Sequence, residues 1–165
     1  MTTNKFPDFP KAEKELQQFF AQFPHTAGTQ ALNYYVSSFR RQNWNNIRWK
    51  ARSKPDAGRA ILIKSGRLRR SLRLIIDKNT ATISTDTPYA QIHNEGGRVQ
   101  YTVQIKAHQR RLKRKTITVK AHSRTVNHNM PKRQFMDIPG KPMNAILEKQ
   151  IIDTATKAID KIFKP

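Results

Sequence analysis

The sequence predicts an α+β fold in which an antiparallel β-sheet with a long basic hairpin or arm packs against N-terminal helices and a long C-terminal helix. Three observations lead to this prediction. Apolar residues recur every three or four positions near both ends of the chain, as on amphipathic helices. Between them, apolar and polar residues alternate around turn signals, as on half-buried strands. Residues 106–133 contain ten Lys or Arg and no Asp or Glu, which is too much charge to bury in a core.

The N-terminal part predicts two helices. From Lys11 onward, apolar residues follow helical spacing as far as Phe23, and Pro24 and His25 then interrupt the pattern. Thr26 or Thr29 is suited to cap a second helix, which carries an apolar stripe. The stripe of this second helix consists of Ala31, Leu32, Tyr35, Val36 and Phe39.

A basic and aromatic stretch, residues 40–59, follows these helices and is interpreted as a loop. It contains Trp44, Trp49, Lys54 and Pro55. Either tryptophan can stack on a base or on a partner protein, but a Trp in such a place more often closes the edge of a core. The core interpretation is therefore favoured for both.

Turn signals divide the next part of the chain. Ser65 and Gly66 mark a short turn, since Ser caps helical turns and Gly eases the chain into them. Residues 72–76 and 81–84 are β-prone and flank the turn residues 77–80, which predicts a β-hairpin. Residues 87–97 predict a short helical turn that is ended by two glycines.

A strand at residues 99–105 leads into the basic arm at 106–133, in which residues 116–119 are again β-prone. Because charge at this density must stay outside a core, we expect the arm to be solvated, disordered or laid on something negative. We expect its cations to contact a partner protein or DNA. These cations are Lys106, Arg110, Arg111, Lys113, Arg114, Lys115, Lys120, Arg124, Lys132 and Arg133.

After the arm, residues 138–140 (Ile-Pro-Gly) break the pattern, and the last helix is expected to begin near Lys141 or Pro142. Its apolar stripe extends from Met143 to Phe163. One domain is predicted overall, with an N-terminal helical region and basic aromatic loop at 1–60, a β-rich core with the arm at 61–138, and the C-terminal helix at 139–165.

Charge is the strongest compositional feature. The 165 residues include 32 Lys and Arg against 11 Asp and Glu, a net charge of +21, with 36% hydrophobic residues and a mean hydropathy of -0.77. A free monomer with this charge repels itself, so nucleic acid or an acidic partner surface is expected nearby. The chain contains no Cys, which excludes disulfides and thiolate chemistry, and no apolar run approaches the length of a membrane span.

The residues offer no recognisable catalytic or metal site, and neither an enzyme activity nor a cofactor is expected. The five His include no pair at the spacing of two helical metal ligands, and the acidic residues are scattered. His93, Asn94 and Glu95 superficially resemble the His-Asn pair of some nucleases. A metal-dependent nuclease built around His93 is therefore kept as a less favoured alternative.

Four segments, taken in order, resemble the phage virion morphogenesis family, the tail-completion group of the Mu-like G protein. Residues 62–72 (LIKSGRLRRSL) are similar to its SG-x-L-xx-S-[IL] segment, and residues 87–97 (TPYAQIHNEGG) to its YA-x-IH-x-x-G segment. A variable basic insertion follows at 106–129. Residues 130–136 (MPKRQFM) are similar to the P-x-R-x-F segment before a C-terminal helix.

The resemblance implies an α+β structural protein that completes tails or joins them to heads. His93 is interpreted as a buried structural histidine, and Arg133 is suited to pair with an acid such as Glu95. Residues 131, 133 and 135 are expected to pin the end of the arm to the core. The residues that match family motifs, and are assigned structural roles, are Ser65, Gly66, Leu68, Ser71, Tyr89, Ala90, His93, Gly96, Pro131, Arg133 and Phe135.

The sequence therefore predicts a structural protein of a tailed-phage virion, assembled in the host cytoplasm and located at the head–tail junction. Copies are expected to form a closed ring that contacts portal-side and tail proteins, with double-stranded DNA in the channel as a further partner. No contact with a membrane is expected. The main alternative is a nonspecific nucleic-acid-binding protein that uses the basic arm.

Overall fold

A computed structural model describes residues 8–52 and 58–164. The chain forms helices α1 (Phe9–Arg41), α2 (Arg67–Arg70), α3 (Ala90–Glu95) and α4 (Ala145–Ile162). The strands are β1 (Asn43–Trp44), β2 (Ile47–Arg48), β3 (Leu72–Asp77), β4 (Thr80–Thr85), β5 (Gly97–Ile105), β6 (His108–Arg111), β7 (Thr116–Val119) and β8 (His122–Met130). The α+β class is confirmed.

The N-terminal part is one helix of 33 residues, so the prediction of two helices is wrong. Pro24 lies inside α1 and removes one backbone hydrogen bond, but the residues on both sides of it stay helical. Thr26 does not cap a second helix, because its hydroxyl donates to the carbonyl of Gln22 one turn earlier (3.4 Å). Packing of α1 against α4 and against β3 and β4 holds the helix continuous.

Helix α1 ends at a left-handed Gln42 (φ 55°), and the chain then makes a tight hairpin where a loop was expected. Asn45 and Asn46 both have positive φ (51° and 63°) and connect β1 to β2. Asn tolerates this conformation, which two-residue hairpin turns require. The pair was an overlooked hairpin signal, while Lys54 and Pro55 of the predicted loop lie outside the described residues.

The predicted hairpin after residue 71 is confirmed. Strands β3 and β4 pair from Leu72↔Thr85 to Asp77↔Thr80, and the turn is at Lys78 and Asn79. The strands do not join into the single antiparallel sheet that was predicted, since the described strands form four separate two-stranded sheets. Helix α3 lies between β4 and β5 in the chain, and β5 pairs with β8 instead.

Helix α4 begins at Ala145, later than expected, because Asn144 caps it. The Asn144 side-chain oxygen accepts hydrogen bonds from the backbone N–H groups of Ile146 (3.0 Å) and Leu147 (3.2 Å). The hydroxyl of Tyr34 donates to the same oxygen (3.2 Å), which ties the start of α4 to α1.

The core forms where α1, the segment after the arm and α4 meet. Phe39, Phe135 and Leu147 have no solvent exposure. The Phe39 ring lies 5.1 Å from Phe135 and 5.7 Å from Trp49, measured between ring centroids. Trp44 is half-buried against the rings of Tyr34 and Tyr35. Both tryptophans therefore pack into the core or its edge, as the favoured interpretation predicted.

The contact of α1 with the β3–β4 hairpin gives a first prediction. A Cβ added at Gly28 would lie 2.6 Å from Cδ1 of Leu74 and 2.8 Å from the Cβ of Ala81. We expect Gly28→Val to lower the free energy of unfolding by roughly 1–3 kcal/mol through overpacking. Urea denaturation followed by circular dichroism measures the change. Asn33→Val, at an exposed position of the same helix, is the control, and an equal loss in both variants would contradict close packing at Gly28.

Candidate functional site: the basic arm and its anchor

The arm is a two-stranded antiparallel ribbon that extends from Gly97 to Met130. Its base pairs from Gly97↔Met130 to Ile105↔His122, and its outer part pairs from His108↔Val119 to Arg111↔Thr116. In every pair the two residue numbers add up to the same total, so the base and the outer part share one register. The ladder is interrupted only at residues 106–107 and the opposing 120–121.

The ribbon is long and is held by its own pairing. From Gly97 to Arg111 the first strand is 15 residues long, which at about 3.3 Å per residue corresponds to a reach of roughly 50 Å. The N–H of Leu112 donates to the carbonyl of Lys115 (2.7 Å), which closes a tight tip. Among the described elements, β5 contacts β8 and β6 contacts β7 far more than any of them contacts the body.

The ribbon carries nine cations and no acidic residue. All nine side chains are exposed to solvent, so none of them is buried in the core that the described residues form. Eight were predicted as arm cations, and Arg98 in β5 is an addition. The nine are Arg98, Lys106, Arg110, Arg111, Lys113, Arg114, Lys115, Lys120 and Arg124.

The base of the ribbon has one face on which apolar and basic residues mix and one face of polar residues. Val99, Tyr101, Val103 and Ile105 alternate along β5, and Val126 of β8 pairs with Tyr101 on the same face. The same face also carries His122, Arg124 and His128 of β8, and the Tyr101 ring on it is 50% exposed. The opposite face consists of polar residues, namely Arg98, Gln100, Thr102, Gln104, Ser123, Thr125, Asn127 and Asn129.

Asn94 anchors the returning end of the ribbon. Its side-chain oxygen accepts hydrogen bonds from the backbone N–H groups of Phe135 (2.9 Å) and Met136 (3.1 Å). The carbonyl of His93 accepts from the backbone N–H of Arg133 (2.8 Å). Helix α3, which leads into the arm, thus holds the segment that leaves it.

Gly96 makes the approach of the two ends possible. Its φ is +73°, and a Cβ there would lie 2.7 Å from the backbone nitrogen of Lys132. The indole N–H of Trp49 donates to the carbonyl of Gln134 (2.7 Å) from the other side. The returning segment is therefore fixed by α3 and by the chain that follows β2.

Arg133 is buried in this anchor and is 7% exposed, unlike the other predicted arm cations. Its guanidinium donates to the carbonyls of Lys50 (3.0 Å) and Ala51 (3.4 Å). The predicted pairing with Glu95 is not formed, and the guanidinium instead donates to these two backbone carbonyls. Burial, together with the nearby charge of Arg52, lowers the pKa of Arg133.

His93 is half-buried beside Arg133. Burial, and then the charge of Arg133, lowers the pKa of the imidazole below its usual value of 6.5. The Nδ1 atom is buried without a hydrogen-bond partner, and the ring meets that of Tyr89 edge-on at 5.8 Å. The described residues contain no group of three or more His, Cys, Asp or Glu that is arranged to hold a metal ion.

The remaining motif residues form turns next to the arm or pack in the core. Gly66 (φ 73°) precedes α2, and the hydroxyl of Ser71 contacts that of Thr85 (2.6 Å). Ser65 accepts from the N–H of Arg67 (3.4 Å) through its side-chain oxygen. Leu68, Ala90 and Phe135 are buried in the core, while Tyr89 is partly exposed and Pro131 is half-buried.

Comparison with known families decides the affiliation of the chain. The profile of the phage virion morphogenesis family matches residues 39–156. The chain belongs to the phage virion morphogenesis family. The match begins in the last turn of α1 and ends within α4. It therefore contains the arm, the anchor and the motif segments at 62–72 and 87–97.

As a member of this family, the chain has a role in building the virion. It is associated with the virion and contacts other virion proteins. The family resemblance of the sequence is thereby confirmed. No curated protein and no solved structure matches the chain. No helix of the described ranges combines the length and apolar character needed to cross a membrane.

Two residues of this family member were missed by sequence reasoning. Asn94 was noticed only beside His93 as part of a nuclease-like pair, yet its side chain makes the bonds that fix the arm. Gln42 joins the end of α1 to Ile61 through both ends of its amide, accepting from the Ile61 N–H at 2.6 Å and donating to its carbonyl at 3.1 Å. Their polar side chains in helix-end positions gave no signal of these distant partners.

We expect Asn94→Ala to lower the free energy of unfolding by about 2–4 kcal/mol. The substitution leaves two backbone N–H groups without acceptors, at least one of them buried, and each such group costs about 1–3 kcal/mol. Urea denaturation measures the loss, and hydrogen exchange at Phe135 and Met136 should become faster. Asn127→Ala on the exposed face of the arm is the matched control. Unchanged exchange at both amides would show that Asn94 is not the anchor.

Proposed function

We propose that this family member is a non-enzymatic structural subunit that joins phage heads to tails or completes the tail end, as one copy in an oligomeric ring of the neck. The observation that carries the proposal is the arm, an exposed ribbon whose cations have no acidic residue among them. A small body that extends such a ribbon offers its largest contact surface to neighbours.

The backbone of the arm supports contact with protein. Each strand of a two-stranded ribbon is an edge strand, with N–H and C=O groups that no third strand among the described residues occupies. An extended segment of a neighbouring subunit can add to such an edge by main-chain hydrogen bonds. The many Lys and Arg side chains keep the edges from pairing indiscriminately, because equal arms repel one another.

The net charge of +21 constrains a ring of identical copies. Bringing like-charged subunits together costs free energy unless negative groups lie between them. Acidic surfaces of portal-side or tail proteins, or double-stranded DNA in the channel, would supply those groups. The arm therefore suits a joint between different components better than a free ring in solution.

The function of the arm can be tested by shortening it in register. Replacing residues 106–121 with Asn-Gly removes the outer ribbon and leaves the Ile105↔His122 pair closed by a two-residue turn. We expect the shortened chain to keep its circular dichroism spectrum and thermal midpoint but to fail in complementing a phage that lacks this protein. Electron microscopy of the lysates should then show separate heads and tails.

Two variants sharpen this result. Lys113, Arg114 and Lys115 changed to Gln keep the arm at full length without its tip charge. Lys157, Lys161 and Lys164 changed to Gln remove the same charge from the exposed side of α4 and from the second residue after it. Complementation should fall with the tip variant and persist with the α4 variant. Joined particles with the shortened arm would contradict the proposal, as would global unfolding on shortening.

Nonspecific nucleic-acid binding is the second candidate, and the same nine cations favour it. Filter binding of the purified chain to duplex DNA at several salt concentrations separates the two. Tight DNA binding that weakens steeply with salt and is lost on shortening the arm would favour the second candidate, provided that the chain neither self-assembles nor binds virion proteins. Under the head–tail proposal, we expect the arm to be required for contact with a virion protein as well.

A further inference from the structure

A pocket of about 410 Å³ lies beside the anchor, with His93 of α3 and Arg133 among the residues that line it. Its polar lining also includes Arg52, Lys64 and Arg67. Leu62 and Tyr89 contribute an apolar wall. None of the described residues that line the pocket is acidic.

Arg133 makes this pocket unusual. A buried guanidinium is stabilised when a carboxylate lies next to it, and losing such a partner is costly. Here the described residues supply two backbone carbonyls, of Lys50 and Ala51, and no carboxylate within ion-pair distance. The carbonyls satisfy part of the hydrogen-bonding capacity but contribute no opposite charge.

His93 adds a second observation at the same place. Its ring lines the pocket, and its Nδ1 is buried without a hydrogen-bond partner. Burial and the charge of Arg133 both favour the neutral imidazole and lower the pKa of His93 below its usual value. An anion in the pocket would act in the opposite direction and raise the pKa of His93.

The shape of the pocket selects the kind of anion. Arg133 is recessed, so a rigid DNA duplex, whose phosphates meet exposed cations, has no protruding group to reach it. A free oxyanion would leave Leu62 and Tyr89 uncovered. An acidic side chain with its adjacent backbone and an apolar neighbour fills both walls.

We propose that this pocket binds a carboxylate side chain from an extended acidic segment of a neighbouring virion protein. The source of the segment rests on the proposed structural function, whereas the pocket chemistry is measured on the isolated chain. The described residues that line the pocket include none from the ribbon at 97–130. The two contacts are therefore separable by experiment.

The experiment is a nuclear magnetic resonance titration of the full chain with acetyl-Leu-Glu-Leu-amide. We expect the amide signals of Arg67 and His93 to shift on saturation, and the titration midpoint of the His93 imidazole to rise. Acetyl-Leu-Gln-Leu-amide, which has the same shape without the charge, should cause neither change. Equal effects of both peptides would overturn the proposal.

Variants identify the residues that bind. Lys64→Gln and Arg67→Gln change exposed side chains and should each weaken binding by about 1.5- to 5-fold, as expected for exposed charges. Lys113→Gln at the arm tip is the matched control and should leave binding unchanged. Equal weakening by the control would show that the peptide responds only to net charge, and the proposal would fail.

Two further measurements test whether a peptide carboxylate is what fills the pocket. Inorganic phosphate that shifts the same signals at the same concentration would indicate a site for small oxyanions and overturn the assignment to a peptide. Asp56→Asn addresses the acid at residues 53–57, outside the described ranges. A tenfold or greater gain in affinity would mean that the chain fills the pocket itself. The shortened-arm chain should bind the peptide normally, so failure of the arm proposal leaves this result intact.

Discussion

A ribbon without a core of its own can project from a small body only if both of its ends are fixed, and here the Asn94 side chain provides the fixed point. One amide oxygen holds two backbone N–H groups of the segment that returns from the arm. That segment places Phe135 against Phe39, at the centre of the core. The same few residues therefore determine where the arm leaves the body and how the body closes.

This arrangement separates the apolar from the charged parts of the chain. The aromatic residues of α1, Trp49 and Phe135 form a small core near the anchor. The cations lie beyond it, on strands that pair with each other and are open to solvent on both faces. The stability of the body and the charge of the arm are thus carried by different residues, so the arm sequence can change without loss of the core.

Local pattern was sufficient for several elements. The alternation and turn residues around Lys78 predicted the β3–β4 hairpin, and the glycines after Glu95 predicted the end of α3. The charge count predicted an extended basic arm, because no core accommodates it. The family motifs located the returning segment, with Phe135 at its centre.

The rest depended on contacts between residues that are distant in sequence. Pro24 carries a local signal to end a helix, and only the packing of α1 on its neighbours overrides it. The β-type segments at 72–76, 81–84, 99–105 and 116–119 were found but were wrongly joined into one sheet, since alternation does not specify a partner strand. Arg133 was predicted both as an arm cation and as a residue that pins the arm to the core, and its bonds to the carbonyls of residues 50 and 51 could not be foreseen from local pattern.

The interruption of the ladder at residues 106–107 and 120–121 has a mechanical consequence. Cross-strand hydrogen bonds stiffen a ribbon, and here they are absent over two successive residue pairs while the register continues beyond. Backbone pairing therefore stiffens the ribbon least at this joint, between a base that is paired from Gly97 to Ile105 and an outer segment that is paired from His108 to Arg111.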